Sequence, residues 1–160
     1  MNAARKSFLP FLALASTSLA FAACAHKPHM AASAIAPPEA SLVRTPIEDT
    51  AFTPFIPGAE LHYIYGGIDK NVPTAQVARL DAGVSFPKHI HSNDYYAVVI
   101  SGNYQHWEDG EPDQGPVMTG GSTFFQGGGA PHYDACLGPE TCVIYVYFPV
   151  SADATFLPEE

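Results

Sequence analysis

GVSFPKHIHSNDYYAVVISG, residues 83–102, is the stretch whose reading decides the fold. It reads as two extended runs around a polar turn. Residues 88–91 form the first run, and Ser92, Asn93 and Asp94 interrupt it. Residues 95–100 (YYAVVI) form the second, a nearly continuous apolar run that stops at Ser101-Gly102. Aromatic and β-branched residues suit a pleated, half-buried surface, whereas Asn, Asp, Ser and Gly suit turns. His89 and His91 stand two apart, so on a strand both imidazoles leave the same face. Two such imidazoles can chelate one metal ion, although an isolated H-x-H is a weak sign of this.

The same short runs continue on both sides. Residues 60–65 (ELHYIY) and 74–80 (TAQVARL) alternate and end at Gly66-Gly67 and Asp81-Ala82-Gly83. Further strands are predicted at 103–107, 116–118, 122–126, 131–135 and 142–148. Outside the first 24 residues no segment keeps a helical period for a dozen residues. The 13 Gly and 15 Pro among 160 residues exclude a helical bundle, because each breaks helix interiors. The chain therefore reads as all-β, a sandwich or barrel. Phe124, Phe125, Tyr145 and Tyr147 are expected to fill its interior, and His62 reads as an ordinary strand residue. Hydrophobic residues make up 47% and charged residues 14%, which excludes a disordered polyelectrolyte. A formal net charge of −9 repels a phosphate backbone, so nucleic acid is not expected as a partner. Residues 108–113 gather four acids around Gly110 and Pro112 without the spacing of a calcium loop, and read as a solvated hairpin connection.

The N-terminus reads as a signal. Arg5 and Lys6 precede an uncharged, mostly apolar run at residues 8–23, too short and too Pro-interrupted for a membrane span. Phe21-Ala22-Ala23-Cys24 resembles a bacterial lipobox, with Phe21 where an aliphatic residue is usual. This predicts a signal peptide at 1–23, a lipidated Cys24 and an exported, periplasmic protein that meets the membrane only through that anchor. Ordinary cleavage near residue 22 is the alternative. Residues 24–46 hold Pro28, Pro37, Pro38 and Pro46 and read as a flexible tether, in which His26 and His29 are solvated. The folded domain is expected at 47–158. Of three cysteines, Cys24 taking the lipid leaves Cys136 and Cys142. Five residues with a Gly-Pro turn separate them, so a disulfide joining the end of one strand to the start of the next is expected, with two free buried thiols as the alternative.

His132 adds a third imidazole beside the turn Gly127-Gly128-Gly129-Ala130-Pro131. Three neutral imidazoles with open positions make a mononuclear site. Gly83-x5-His89-x-His91-x3-Tyr95-x6-Gly102 resembles the first cupin motif, G-x5-H-x-H-x3,4-E-x6-G. Gly121-x5-Gly127-x-Gly129-x2-His132-x3-Cys136 resembles the second, G-x5-P-x-G-x2-H-x3-N. Within the cupins the chain is most similar to small single-domain, ChrR-like members and their exported relatives. The resemblance implies a double-stranded β-helix, or jelly-roll barrel, with a divalent metal held inside by His89, His91 and His132. Fe²⁺ or Zn²⁺ is expected there, with Mn²⁺ or Ni²⁺ as alternatives. Three positions depart from the pattern. Tyr95 replaces the motif glutamate, Gly127 the proline and Cys136 the asparagine. Asp94 would reach the metal only if its loop were shifted by one residue.

Two further side chains are candidates for chemistry. Tyr95 is expected to line the pocket and to touch bound ligand without binding the metal. His106 shares strand parity with Tyr104 and not with Trp107. It serves as acid or base if that set faces inward, and is a surface residue if not. No G-x-S-x-G, P-loop or dinucleotide fingerprint is present. The expected function is a dioxygenase-like metalloenzyme acting on a small oxygenated or anionic molecule. The alternative is a non-catalytic module that senses a small molecule or metal. A homodimer is the candidate assembly.

Overall fold

Runs of β-branched and aromatic residues, each cut off by Gly, Pro, Asn or Asp, become ten strands in a computed structural model that describes residues 41–158. They are β1 (Thr53–Ile56), β2 (Ala59–Tyr65), β3 (Thr74–Leu80), β4 (Ser85–Ile90), β5 (Tyr95–Ser101), β6 (Tyr104–Glu108), β7 (Thr123–Gln126), β8 (His132–Cys136), β9 (Cys142–Phe148) and β10 (Thr155–Phe156). The expected signal peptide at 1–23, Cys24, and the tether up to residue 40 lie outside the described residues.

Every strand pairing is antiparallel. One sheet has six strands in the order β1-β2-β3-β9-β5-β7, and the other has four in the order β10-β4-β8-β6. This is the all-β jelly roll expected from the sequence. The core lies between the sheets, and the inward faces of the longer strands supply it. Tyr95, Ala97 and Val99 of β5 point inward, while Tyr96 and Ile100 are exposed. On β9 the inward set is Cys142, Ile144, Val146 and Phe148.

That alternation corrects one expectation. Phe124 does pack against the core, but Phe125 and Tyr147 are exposed and Tyr145 is half-buried on the outer face. The period of a strand is two, so Phe125 must leave the face opposite Phe124. A second correction concerns residues 116–118, which form no strand. Pro116 has no N–H to give a ladder, and only Met118 bridges to Tyr104.

Cys136 ends β8 and Cys142 begins β9, and the two are joined by a disulfide. The bond ties the four-stranded sheet to the six-stranded one. Gly102, which closes β5, is set by the same contact. Its φ is +88°, and a side chain there would place Cβ 2.7 Å from the Cα of Cys142.

Candidate metal centre

Three neighbouring strands of the smaller sheet build the site. In the ladder between β4 and β8, His89 lies directly opposite His132. In the ladder between β8 and β6, His106 lies opposite Asp134. His132 and Asp134 are two apart on β8, so both face the interior. The register of β4 shifts between Phe86 and His89, which turns both of these inward although they are three apart. His91 stands just past the end of β4 and still shares the face of His89, with ring centroids 5.1 Å apart.

The ligand atoms of His89, His91 and His132 lie within 4.8 Å of one another. Their tautomers follow from their partners. Nδ1 of His89 donates to the carbonyl of Pro87 at 2.9 Å, and Nδ1 of His132 to the carbonyl of Ala130 at 2.8 Å. Nδ1 of His91 donates to the carbonyl of Asp153. A carbonyl only accepts, so each Nδ1 carries the proton and each Nε2 offers a lone pair. Backbone carbonyls on the far nitrogen commonly orient metal-binding histidines in this way. Burial also disfavours the charged forms of His132 and His91. His132 is pushed down to about 4, and His91 is lowered as well, in both cases chiefly by desolvation. Neutral, pre-aimed imidazoles are what a divalent ion requires, so the donor set fits the expected metal.

Tyr95 reaches this cluster from the opposite sheet. Its hydroxyl donates to Nε2 of His132 at 3.3 Å. Burial, reinforced by the charge of Asp134, raises its pKa well above the ordinary phenol range, so the side chain is a neutral phenol. Asp94 is exposed and turned away. Its Oδ1 accepts from the N–H of Gly128 at 2.8 Å, stapling the turn of the first motif to the glycine turn of the second.

His106 faces inward with Tyr104, and its side chain is only 8% exposed. The surface alternative is thereby corrected. Trp107 instead takes the outer face and stacks on Tyr133. Nδ1 of His106 meets Oδ1 of Asp134 at 2.7 Å, and Nε2 meets Oε1 of Gln126 at 2.7 Å. Gln126 gives its amide hydrogens to Glu108 and Gly127, so its oxygen is the acceptor. Both ring nitrogens therefore face acceptors, an arrangement that favours the doubly protonated form of His106. Burial lowers its pKa, but the hydrogen bond and charge of Asp134 outweigh this and the net shift is upward.

Asp134 and Gln126 were not among the sequence candidates. Asp134 is 6% exposed and Gln126 is 3% exposed. Oδ1 of Asp134 accepts from the Tyr104 hydroxyl at 2.5 Å as well as from His106. Burial would raise the carboxyl pKa, yet the hydrogen bond and charge of His106 and the hydrogen bond from Tyr104 hold it well below the usual carboxylate range. The residue is an anion. The available signal was parity, since Asp134 follows His132 by two on a strand.

A cavity of about 70 Å³ opens beside the cluster. Its wall is mostly apolar, with Phe86, Phe124, Ile144 and Phe148 among the lining residues. His89, His91, Tyr95, Tyr104 and Asp134 supply polar groups, and no lysine or arginine lines it.

No protein-family model and no curated protein matches this chain by sequence. Solved structures share its architecture. KdgF from Halomonas sp. is 19% identical with a TM-score of 0.53, over 66% of this chain and 93% of that one. An RmlC-like cupin protein from Ralstonia eutropha JMP134 is 16% identical with a TM-score of 0.57, over 73% of this chain and 74% of that one. The structure of Rhodobacter sphaeroides SigE in complex with the anti-sigma ChrR aligns at 14% identity and a TM-score of 0.52, over 64% of this chain and 50% of the matched one. At such identities the likeness is one of fold. Two antiparallel sheets closed into a jelly roll, with the histidines of both motifs on the inner wall, give this domain the cupin fold.

Proposed function

We propose that the protein is an exported metal-dependent cupin enzyme, dioxygenase-like, acting on a small oxygenated anion such as a carboxylate or a β-dicarbonyl enolate. The observation that carries this reading is the convergence of three Nε2 lone pairs beside a cavity. A divalent ion held there would supply Lewis acidity and, as Fe²⁺, a centre for dioxygen chemistry.

The protein's own groups set the rest. The cavity takes only a few non-hydrogen atoms, since drug-sized ligands need roughly 300 Å³ or more. Its apolar wall excludes water around the reacting group and strengthens each electrostatic contact inside. With no lysine or arginine in the lining, an anion finds its countercharge at the metal. Tyr95, kept neutral, is placed to donate a hydrogen bond to an oxygen bound in the cavity.

The test is metal analysis of the purified protein, then oxygen-uptake screening with small carboxylates and enolates. The expected result is about one ion per chain, lost when His89, His91 and His132 are all replaced by Ala, together with metal-dependent oxygen uptake. Ligand binding without turnover would return the sensing alternative. Absence of any ion after exposure to Fe²⁺, Zn²⁺, Mn²⁺ and Ni²⁺ would overturn the reading. Export rests on residues 1–24. Intact mass of the native protein is expected to show Cys24 as a lipid-bearing first residue, and an unmodified Cys24 would remove the anchor.

A further inference from the structure

We propose that Asp134 supplies the carboxylate ligand of the metal, replacing from the opposite sheet the motif glutamate whose place Tyr95 occupies. The inference rests on the reading that the three histidines hold an ion, and it completes that ligand set.

The two oxygens of Asp134 have different surroundings. Oδ2 of Asp134 lies 3.5 Å from Nε2 of His89. The proton of His89 is on Nδ1, committed to the carbonyl of Pro87. Nε2, the nitrogen left to bind an ion, therefore faces a carboxylate oxygen. A charge-assisted hydrogen bond would instead draw the atoms to about 2.7–2.9 Å. The other oxygen of the same carboxylate behaves differently. Oδ1 is gripped at 2.5 Å by Tyr104 and at 2.7 Å by His106. One oxygen is thus consumed in orientation, and the other is aimed into the histidine cluster.

The spacing suits a cation held between the two atoms. Two bonds of about 2.1 Å at a tetrahedral angle separate their donor atoms by about 3.4 Å. The 3.5 Å between Nε2 of His89 and Oδ2 of Asp134 meets that requirement. The ligand atoms of Asp134 and His132 also fall within 4.8 Å of each other. Tyr95 stands where the motif would present a glutamate, with its hydroxyl 3.3 Å from Nε2 of His132. Among the described residues, Asp134 belongs to a second group of candidate ligands, with His106 and His132, which meets the first group at His132.

The experiment compares Asp134→Asn with wild type. Zn²⁺ affinity is measured by chelator competition and coordination by the visible spectrum of the Co²⁺-loaded protein. Asparagine keeps the shape and a donor oxygen but removes the charge. Affinity is expected to fall by about 100-fold or more, with a changed Co²⁺ spectrum. Affinity within about twofold of wild type and an unaltered spectrum would overturn the assignment while leaving the three-histidine site intact. Failure of wild type itself to take up either ion would overturn the metal reading as well. Should Asp134→Asn not fold, a crystal structure of the Zn²⁺-loaded wild type decides the matter. Oδ2 is expected about 2.0–2.2 Å from the ion, and a separation beyond about 3 Å refutes the proposal.

Discussion

His132 is fully buried, and its pKa of about 4 makes the metal-free fold sensitive to acid. In the unfolded chain a histidine titrates near 6.5. Between the two values the unfolded chain binds a proton that the folded one refuses, so stability falls as pH drops from about 6.5 to about 4 and levels off below. The loss expected from His132 is roughly 3 kcal/mol, and His91, shifted the same way, adds to it. Urea unfolding of the metal-free protein across that range checks this, and His132→Gln should flatten the slope. At Tyr95 the expectation separates two roles. Tyr95→Phe should keep the metal and weaken binding of a small carboxylate by about 10- to 100-fold, the worth of one hydrogen bond to a charged group. Calorimetry with the loaded protein reads both quantities, and loss of the metal would make the phenol a ligand instead. The three histidines were legible because fixed spacings in two motifs single them out. Asp134 and Gln126 were not, because a polar residue at an inward position looks like any other alternation until its cross-strand neighbours are known. Those neighbours, His106 and Tyr95, come from strands that sequence order alone does not place side by side.

Among the elements, β4 and β8 carry the ligands, and β10 backs them. Phe156 of β10 pairs with His89, and Thr155 with Ile90. The segment entering β10 is fastened by Oδ1 of Asp153, which accepts from the N–H of Ser92 at 2.7 Å. The same residue's carbonyl takes the Nδ1 proton of His91. Asp153→Ala should therefore loosen His91 and weaken Zn²⁺ binding by about 10- to 100-fold with little change in fold content. Chelator competition and far-ultraviolet circular dichroism test this together; unchanged affinity would show that the carbonyl alone suffices. Most of the inner strands could be read from alternation, and β3 and β9 match their expected bounds. β1 and β10 escaped notice, being four and two residues long and drawing their identity from partners rather than from pattern. The outward turn of Tyr145 and Tyr147 was hidden for a related reason. In residues 142–148 both faces are apolar, so hydrophobicity does not say which face is inside.

Across the whole molecule, the two sheets are joined at one place by a covalent bond and at another by the donor cluster. Replacing Cys136 and Cys142 together by Ser should cost roughly 2 kcal/mol, as expected for a short closed loop. It should leave Zn²⁺ stoichiometry unchanged, because His89, His91 and His132 take their orientation from Pro87, Asp153 and Ala130. Denaturant melts and metal analysis of the double variant check the two halves of this statement, and loss of the ion would show that the disulfide also holds the site in shape. The dependence of His91 on Asp153 makes the site a property of the closed domain. His89 and His132 take their orientation from carbonyls two residues upstream, within their own segments. His91 takes its orientation from a residue 62 positions later, so its ring is aimed only once the segment entering β10 has docked beside Ser92. A chain cut short before residue 153 is therefore expected to hold its ion more weakly than the whole domain.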